Sequence, residues 1–451
     1  MESVNFSVEK TGYNFEFEKN SKNFILKSKF LIDNNNLNES FEKKEVKNNL
    51  IYNFYCETEK NLKNKLKRSY SNESTNSSHS SNEDLLLNIN NNFNNNFSNE
   101  KILKLSPFLI QEQEGSRFLQ NKLKMNKQFT NDVYFPYLIK YYEKNQLIQL
   151  ICSQFGNYLF QVIIEVLTDN NLNLFLKLIS NNFYNISIDI YGTRFIQKLI
   201  CVLNPNTENF NLFLFILKQN LQSLLETSHG NHAIQKFIEI IFNYKKYYKK
   251  DFDENDFFNN KINFFFDYFF KNFEIISVNK FGCITIQKLI LFSKGKIKIK
   301  LYKLIKEKII KIIEKQYGTF LLQFLIEKEN TFFKTEIIPK ILQNFVKICK
   351  TKFSSNSIEK CLESEHLDIS KIFIKKILED NNIFEFIIDP YGNYIIQKAL
   401  LIANEKEFNF ILKEIGKHYE EIKKVNFGKK LLIKLENLYT KLKEYEKKKK
   451  N

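Results

Sequence analysis

The stretch Phe155-Gly-Asn-Tyr-Leu-Phe-Gln161 joins an aromatic residue, a glycine and two polar residues four positions apart. The pattern recurs seven more times, with Glu114 replacing the aromatic residue in one copy and Ser354 replacing the glycine in another. The last residue of each copy stands at position 120, 161, 197, 235, 287, 323, 359 or 397, so successive copies are 36 to 41 residues apart except for one interval of 52. A unit of about 36 residues has the size of two or three short helices. The spacing therefore predicts a solenoid of helical repeats.

The composition of the chain divides it into three parts. Residues 1–84 include the Asn- and Ser-rich stretch Ser69–Asp84, which has too few apolar residues to offset chain entropy, and we expect this region to be disordered. Residues 85–440 carry apolar side chains at helical spacing and form the predicted solenoid. An insertion at about 244–260 accounts for the long interval and is expected to be a surface loop, and residues 441–451 form a basic tail.

Each motif is expected to begin a helix, with the glycine permitting close backbone approach. We call the residue after the glycine position one, the next residue position two, and the terminal Gln or Glu the anchor. Residues i and i+4 share a helix face, so Asn157 and Gln161 should project together, with Tyr158 beside them on one exposed ridge. A base has a hydrogen-bonding edge and two flat faces. Eight such triplets would therefore form a ladder that suits a row of unstacked bases.

A single triplet of this kind is an ordinary helix surface. Packing alone explains the glycine and the apolar residues that follow it at helical spacing, such as Phe195, Ile196 and Leu199. The anchor is more informative, because solubility could be met by Lys or Glu. The anchor is instead Gln in seven copies and Glu only at Glu359. Its repetition favours recognition of single-stranded nucleic acid over a purely structural role.

The charge balance agrees, since 68 Lys and Arg against 51 Asp and Glu give a formal net charge of +17, which suggests a polyanionic partner. The sequence shows no apolar signal core or membrane-length apolar run, so we expect a cytoplasmic protein without a membrane segment. The five histidines form no metal-spaced pair, and no phosphate loop or nucleophile constellation is present, so no enzyme, cofactor or metal site is predicted. The cysteines form no CxxC pair and are expected to be reduced thiols: Cys56, Cys152, Cys201, Cys283, Cys349 and Cys361.

The eight motifs, in this order, resemble the Pumilio (PUF) family of RNA-binding repeat proteins over residues 85–440. The most specific segments are Lys352–Leu362 and Gly230–Lys236, and Asn426–Glu436 resembles the degenerate repeat that caps the domain. The resemblance implies an all-α, curved, right-handed solenoid of eight PUF-like repeats with terminal capping repeats. It also implies that single-stranded RNA lies along the concave face, antiparallel to the protein, so that the last repeat reads the first base.

The resemblance assigns RNA binding to all eight triplets. The position-one residues are Ser116, Asn157, Thr193, Asn231, Cys283, Thr319, Ser355 and Asn393. The position-two residues, which would stack on bases or contact them, are Arg117, Tyr158, Arg194, His232, Ile284, Phe320, Asn356 and Tyr394. The anchors are Gln120, Gln161, Gln197, Gln235, Gln287, Gln323, Glu359 and Gln397.

The family's pairing of side chains with bases then predicts an RNA close to U-G-U-A-U-A-U-A. The three Asn/Gln pairs imply uracil, the Ser355/Glu359 pair implies guanine, and the Ser116/Gln120 and Cys283/Gln287 pairs imply adenine. Two repeats depart from the family's usual position-one residues. Thr193 replaces Cys or Ser, and its motif is assigned to adenine. Thr319 replaces Asn; its motif is assigned to uracil because the family's sixth repeat reads uracil, although a Thr side chain also fits adenine or weak discrimination between bases.

The resemblance further implies a monomeric post-transcriptional regulator that binds mRNA 3′ untranslated regions and acts with deadenylase or translational-repressor proteins. Two alternatives remain open at this point. One is a nucleolar Pumilio-like ribosome-assembly factor, although such relatives have degraded triplets and more repeats. The other is a protein-binding scaffold of the HEAT or armadillo kind, although such a scaffold would not keep Gln or Glu at one register.

Overall fold

The computed structural model describes residues 17–20, 23–26, 97–243, 260–379 and 383–435, and the chain divides into two units, Met1–Asn95 and Asn96–Asn451. In the first unit the strands Phe17–Asn20 and Asn23–Leu26 pair antiparallel, with Phe17 opposite Leu26. These strands lie within the segment that composition predicts to be disordered. The rest of that segment, nearly all of the predicted insertion and the basic tail lie outside the described residues.

The second unit is helical wherever the structure describes its regular elements. Eight helices carry the motifs, and we call them the motif helices: Gln113–Met125, Gly156–Val166, Gly192–Val202, Gly230–Phe242, Gly282–Phe292, Gly318–Lys328, Ser354–Leu362 and Gly392–Ile402. The intervening α-helices are Asn99–Leu109, Lys127–Phe129, Phe135–Tyr141, Lys144–Ile151, Asp169–Ile179, Phe183–Ile188, Glu208–Leu225, Asn263–Lys271, Phe273–Ser277, Gly295–Ile313, Asn330–Phe332, Ile338–Gln343, Phe345–Cys349, Leu367–Glu379, Ile383–Ile388, Glu405–Lys417 and Tyr419–Lys424. Residues 426–435 are also helical, Thr130–Tyr134 and Phe333–Ile337 are π-helical, and Ser180–Asn182 forms a 3₁₀ turn.

The motif helices form one continuous row, because each of them contacts the next from Gln113–Met125 to Gly392–Ile402. Intervening helices of neighbouring repeats also contact each other, as Asp169–Ile179 does with Glu208–Leu225. Apolar side chains fill the space between the two sets of helices. The predicted all-α repeat solenoid is confirmed.

Phe175 shows how the core joins successive repeats. Its fully buried ring lies 5.7 Å from the ring of Phe135, 6.0 Å from that of Phe160 and 5.8 Å from that of Phe195, which belong to three successive repeats. Edge-to-face and offset contacts at these distances add to the stabilisation from burial. Each repeat therefore completes its core with side chains from its neighbours, as a solenoid requires.

The start of each motif helix explains the glycine. A Cβ atom on Gly318 would lie 1.8 Å from the carbonyl oxygen of Ile312, six residues earlier. In the seventh motif Ser354 occupies the glycine position, and its Oγ donates a hydrogen bond of 2.7 Å to the equivalent carbonyl, that of Ile348. The first motif differs from the prediction, because its helix begins at Gln113, two residues before Gly115.

Within residues 97–243, 260–379 and 383–435, no single helix is both long and apolar enough to cross a bilayer. One bent pair, Lys144–Ile151 with Gly156–Val166 at 102°, reaches that length and composition. Its side chains Ile151, Phe160 and Ile163 are buried in the solenoid core.

Candidate nucleic-acid interface

The three positions of each motif differ in exposure in the same way along the row. Position two is exposed in all eight motifs and the anchor is half-buried in all eight. Position one is buried in seven motifs and half-buried at Thr319. The expectation that position one would project from an exposed ridge is therefore wrong. The residue lies in the first turn of its helix, where its side chain faces backbone carbonyls of its own or the next repeat.

The three Asn/Gln pairs share one hydrogen-bonding arrangement. Nδ2 of Asn157 donates to the carbonyls of Ser153 and Gln154 over 2.8 and 2.9 Å, while its Oδ1 accepts from Nε2 of Gln161 over 3.0 Å. The Asn231/Gln235 and Asn393/Gln397 pairs make the same contacts. Both Asn donors and its acceptor are thus engaged within the protein, and the bond fixes which way the Gln amide points. Each Gln keeps one N–H donor and lone-pair capacity on Oε1.

Three of the four hydroxyl residues at position one make a different contact. Ser116 Oγ and Thr193 Oγ1 each donate over 3.0 Å to the carbonyl of the residue that precedes the next motif's glycine, Phe155 and His229 respectively. Thr319 Oγ1 makes the equivalent bond over 3.4 Å. These hydroxyls therefore link neighbouring motif helices.

The anchors beside these hydroxyls lack an amide partner at position one. Nε2 of Gln120 donates to Ser116 Oγ over 3.1 Å, and Nε2 of Gln323 donates to Oε1 of Glu327 over 2.9 Å. A hydroxyl can accept from an amide, but it does not select the amide orientation as an acceptor-only oxygen does.

The seventh motif contains the acidic anchor. Burial raises the pKa of Glu359 above its ordinary value; Lys398 opposes that shift, Glu363 adds to it, and Lys360 opposes it. Both lysines pair with Glu363 instead, over 2.5 and 2.8 Å. Glu359 thus retains two carboxylate oxygens that can accept hydrogen bonds.

Position one in the fifth motif is a thiol. Cys283 is buried and its Sγ lies 3.4 Å from the carbonyl oxygen of Lys280. Burial raises the pKa of this thiol to about 11, so it is neutral at physiological pH. A neutral buried thiol is neither a metal ligand nor a nucleophile. Among the residues that the structure describes, no group of three or more His, Cys, Asp or Glu is placed to hold a metal ion.

The position-two side chains form an exposed series of flat groups at the N-terminal end of the row. Nη1 of Arg194 donates to the Tyr158 hydroxyl over 3.1 Å, linking two consecutive motif helices. A cavity of about 420 Å³ opens between Arg117, Tyr158 and Arg194 and is also lined by the polar groups of Ser116 and Gln120. Flat faces beside hydrogen-bonding groups are what an unstacked base requires.

His232 is the flat group of the fourth motif. Burial, and then the neighbouring His229, lower its pKa, so the neutral imidazole is favoured. Ile284 is 44% exposed, and it offers apolar contact rather than a ring.

Two further features were not predicted from the sequence. In several motifs the residue three before the glycine caps the turn; Oδ1 of Asp189 accepts from the backbone N–H groups of Tyr191 and Gly192, both over 2.8 Å. Asp, Asn, Ser or Thr at that spacing was the available signal. The second is Lys434, whose Nζ donates to Oε1 of Gln397 over 2.5 Å. No sequence signal marks this lysine, because the contact spans 37 residues.

Comparison with known proteins is consistent with this geometry. A model of the Pumilio-family RNA binding repeat matches residues 146–179, 182–209, 228–241, 272–305, 344–378 and 382–415. These segments contain six of the eight triplets; those of Ser116 and Thr319 lie outside them.

Curated relatives cover most of the described solenoid. Pumilio homolog 11 of Arabidopsis thaliana is 29% identical over 339 residues, which cover 74% of this chain and 55% of the relative. A Pumilio domain-containing protein of Schizosaccharomyces pombe is 26% identical over 344 residues, covering 74% of this chain and 46% of the relative. The chain thus spans about half the length of these relatives.

Among solved structures, the Puf4 RNA binding domain bound to the HO endonuclease RNA 3′ UTR recognition sequence matches with a TM-score of 0.55 and 25% identity, over 72% of this chain and 96% of that domain. PUF-8 in complex with PBE-RNA matches with a TM-score of 0.52 and 20% identity, over 79% of this chain and 99% of PUF-8, and this likeness concerns the fold.

Proposed function

The chain belongs to the Pumilio family, whose members are RNA-binding proteins rather than enzymes, and from this membership we propose that it binds single-stranded RNA sequence-specifically through its row of motif helices. The observation that carries the proposal is that the three residues of each triplet differ in burial and in hydrogen bonding. Position one is buried in seven motifs and half-buried at Thr319, the anchor is half-buried with free hydrogen-bonding capacity, and position two is exposed. This arrangement presents one edge-reading group and one contact surface per repeat.

The proposed RNA is close to U-G-U-A-U-A-U-A, read from the last motif to the first. In the Asn/Gln motifs the oriented amide of Gln161, Gln235 or Gln397 accepts from uracil N3–H and donates to a uracil carbonyl. At the second base, the two acceptor oxygens of Glu359 match the N1–H and N2–H donors of guanine. The small position-one residues of the Ser116 and Cys283 motifs leave room for a purine, and these two motifs are assigned to adenine, as is the Thr193 motif.

The assignment of the third base has the weakest support from the side chains. We assign uracil to it because the family's repeat at this place usually reads uracil, although the Thr319 hydroxyl bonds to the neighbouring repeat as those of Ser116 and Thr193 do. Its anchor Gln323 donates to Glu327 rather than to a position-one amide. We therefore expect weaker discrimination at this base than at the bases read by Asn/Gln pairs.

The biological role that follows is post-transcriptional. The Puf4 domain named above was solved on a 3′ UTR recognition sequence, and similarity to it supports mRNA 3′ untranslated regions as the targets of this chain. In the proposal, the protein acts in the cytoplasm as a monomer and brings deadenylase or translational-repressor proteins to the bound mRNA. The net charge of +17 favours a polyanionic ligand and makes affinity depend on salt.

Selection from a random pool of RNA tests the proposal directly. The full chain should enrich sequences close to U-G-U-A-U-A-U-A, and binding to a synthetic RNA of that sequence should exceed binding to a scrambled RNA of equal composition. Both RNAs are measured at one salt concentration, because phosphate contacts alone give sequence-independent affinity. Equal affinity for the two RNAs would refute sequence-specific binding.

A further inference from the structure

The last of the three Asn/Gln pairs has a partner that the other two do not show in the described structure. Nε2 of Gln397 donates to Oδ1 of Asn393 over 2.7 Å, and Oε1 of Gln397 accepts from Nζ of Lys434 over 2.5 Å. Lys434 comes from the helical residues 426–435, beyond the last motif helix. The Gln397 amide is therefore held at both its oxygen and its nitrogen.

Two opposite partners fix the orientation of an amide more strongly than one. If the Gln397 amide rotated by 180°, its NH₂ group would face the Lys434 ammonium and its oxygen would face Asn393 Oδ1. Both contacts would then be between like groups, donor against donor and acceptor against acceptor. Rotation of Gln161 or Gln235 disrupts only the contact with its own Asn among the contacts described.

Orientation matters because uracil and cytosine differ at the same edge. Uracil N3 carries a hydrogen and donates, whereas cytosine N3 accepts and its exocyclic N4 donates. A Gln amide whose oxygen faces N3 suits uracil and opposes cytosine, while a rotated amide would suit cytosine. The two pyrimidines have nearly the same size and stacking surface, so discrimination between them reports mainly on the amide.

We propose that Lys434 is a positioning residue for RNA recognition, which locks the Gln397 amide and so enforces uracil over cytosine at the first base. The inference rests on the proposed function, because it concerns the same binding surface. Oε1 has a second lone pair, so it can accept from uracil N3–H while it holds the Lys434 bond. Partial burial, and then the neighbouring Lys430, lower the pKa of Lys434.

The test compares Lys434→Met with the unchanged protein on U-G-U-A-U-A-U-A and on RNAs carrying cytosine at base one, five or seven. We expect the preference for uracil at base one to fall by about tenfold, the scale of one charge-assisted hydrogen bond. Preference at bases five and seven, which Gln235 and Gln161 read, should not change. Lys434→Arg keeps a cationic donor and should retain most of the preference.

Lys430→Met is the matched control, because it removes a positive charge one turn earlier without removing the bond to Gln397. Equal thermal unfolding midpoints show that the variants fold. If Lys434→Met weakened binding of the uracil and cytosine RNAs equally, Lys434 would be only an electrostatic contact and the inference would fail. If the unchanged protein showed no preference for U-G-U-A-U-A-U-A over scrambled RNA, the proposed function would fail first, and the inference with it.

Discussion

The hydroxyl of Tyr158 accepts a hydrogen bond of 3.1 Å from Nη1 of Arg194, a residue 36 positions later in the chain. The interval equals one repeat, so the bond joins the position-two side chains of consecutive motif helices. Both side chains are exposed and border the 420 Å³ cavity. The pair therefore forms one edge of this cavity, with the flat ring of Tyr158 beside it.

Tyr158→Ala should weaken binding of U-G-U-A-U-A-U-A by about 1–3 kcal/mol, the usual contribution of one stacked base. Tyr158→Phe keeps the ring and loses the bond to Arg194, and it should cost much less. Dissociation constants of the three proteins at one salt concentration decide between the roles. A Phe variant as weak as the Ala variant would assign the effect to the hydrogen bond instead of the ring.

The close approach at Gly318 gives a prediction about stability. Because a Cβ there would lie 1.8 Å from the Ile312 carbonyl oxygen, Gly318→Ala must displace the start of its helix. We expect a loss of about 1–3 kcal/mol in the free energy of unfolding, as for other overpacked sites. Denaturant unfolding followed by circular dichroism measures the change.

Gly416→Ala is the control for that substitution. Apart from the adjacent residues and backbone of its own helix, Glu405–Lys417, no atom lies within 4 Å of a Cβ built on Gly416. Alanine in a helix is favoured over glycine by about 0.5–1 kcal/mol, so this variant should be slightly stabilised. Equal effects of the two substitutions would contradict the close-approach explanation.

Much of the fold could be predicted from the sequence, because a regular spacing of Gly-x-x-x-x-Gln is visible without any contact. The motif helices and their order follow from that period. The burial and hydrogen bonding of the position-one residues could not be predicted. Helix periodicity places Asn157 and Gln161 on one face, but it does not show that backbone carbonyls of the preceding turn accept from the Asn157 amide. The Lys434 contact was also out of reach, because it depends on how a non-motif helix packs.

Glu359 predicts a pH dependence of guanine recognition. Its carboxylate must be ionised to accept from both guanine N–H donors, and burial raises its pKa in the free protein. In the complex, the guanine N–H donors favour the charged form of Glu359. Affinity for the RNA should therefore be greatest above the raised pKa of Glu359, and it should fall by up to tenfold per pH unit as the pH drops through that pKa. Binding is measured from neutral pH to about pH 5, near the ordinary range of a Glu carboxyl.

The control for the pH series is Glu359→Gln, which lacks the titrating group. Its affinity should change less over the same range, and the difference between the two proteins isolates Glu359 from His232 and other groups. Parallel pH profiles would mean that the Glu359 carboxylate does not accept from the RNA.

The double substitution Ser355→Asn with Glu359→Gln tests whether the triplet alone determines the base. The carbonyls that an Asn would need are in place: Ser355 N–H already donates to the Thr351 carbonyl over 3.0 Å, and its hydroxyl to the Lys352 carbonyl over 3.3 Å. These carbonyls stand at the same spacing as those bound by Asn157 and Asn393. The double variant should therefore rebuild the arrangement that orients a Gln for uracil.

Preference at the second base should then move from guanine to uracil by about 1–3 kcal/mol, while the other bases keep theirs. Affinities of both proteins for RNAs with guanine or uracil at that base, at one salt concentration, measure the change. Glu359→Gln alone should lose guanine preference without gaining much for uracil, because Ser355 cannot hold the amide in one orientation. An unchanged guanine preference in the double variant would mean that Glu359 does not read the base.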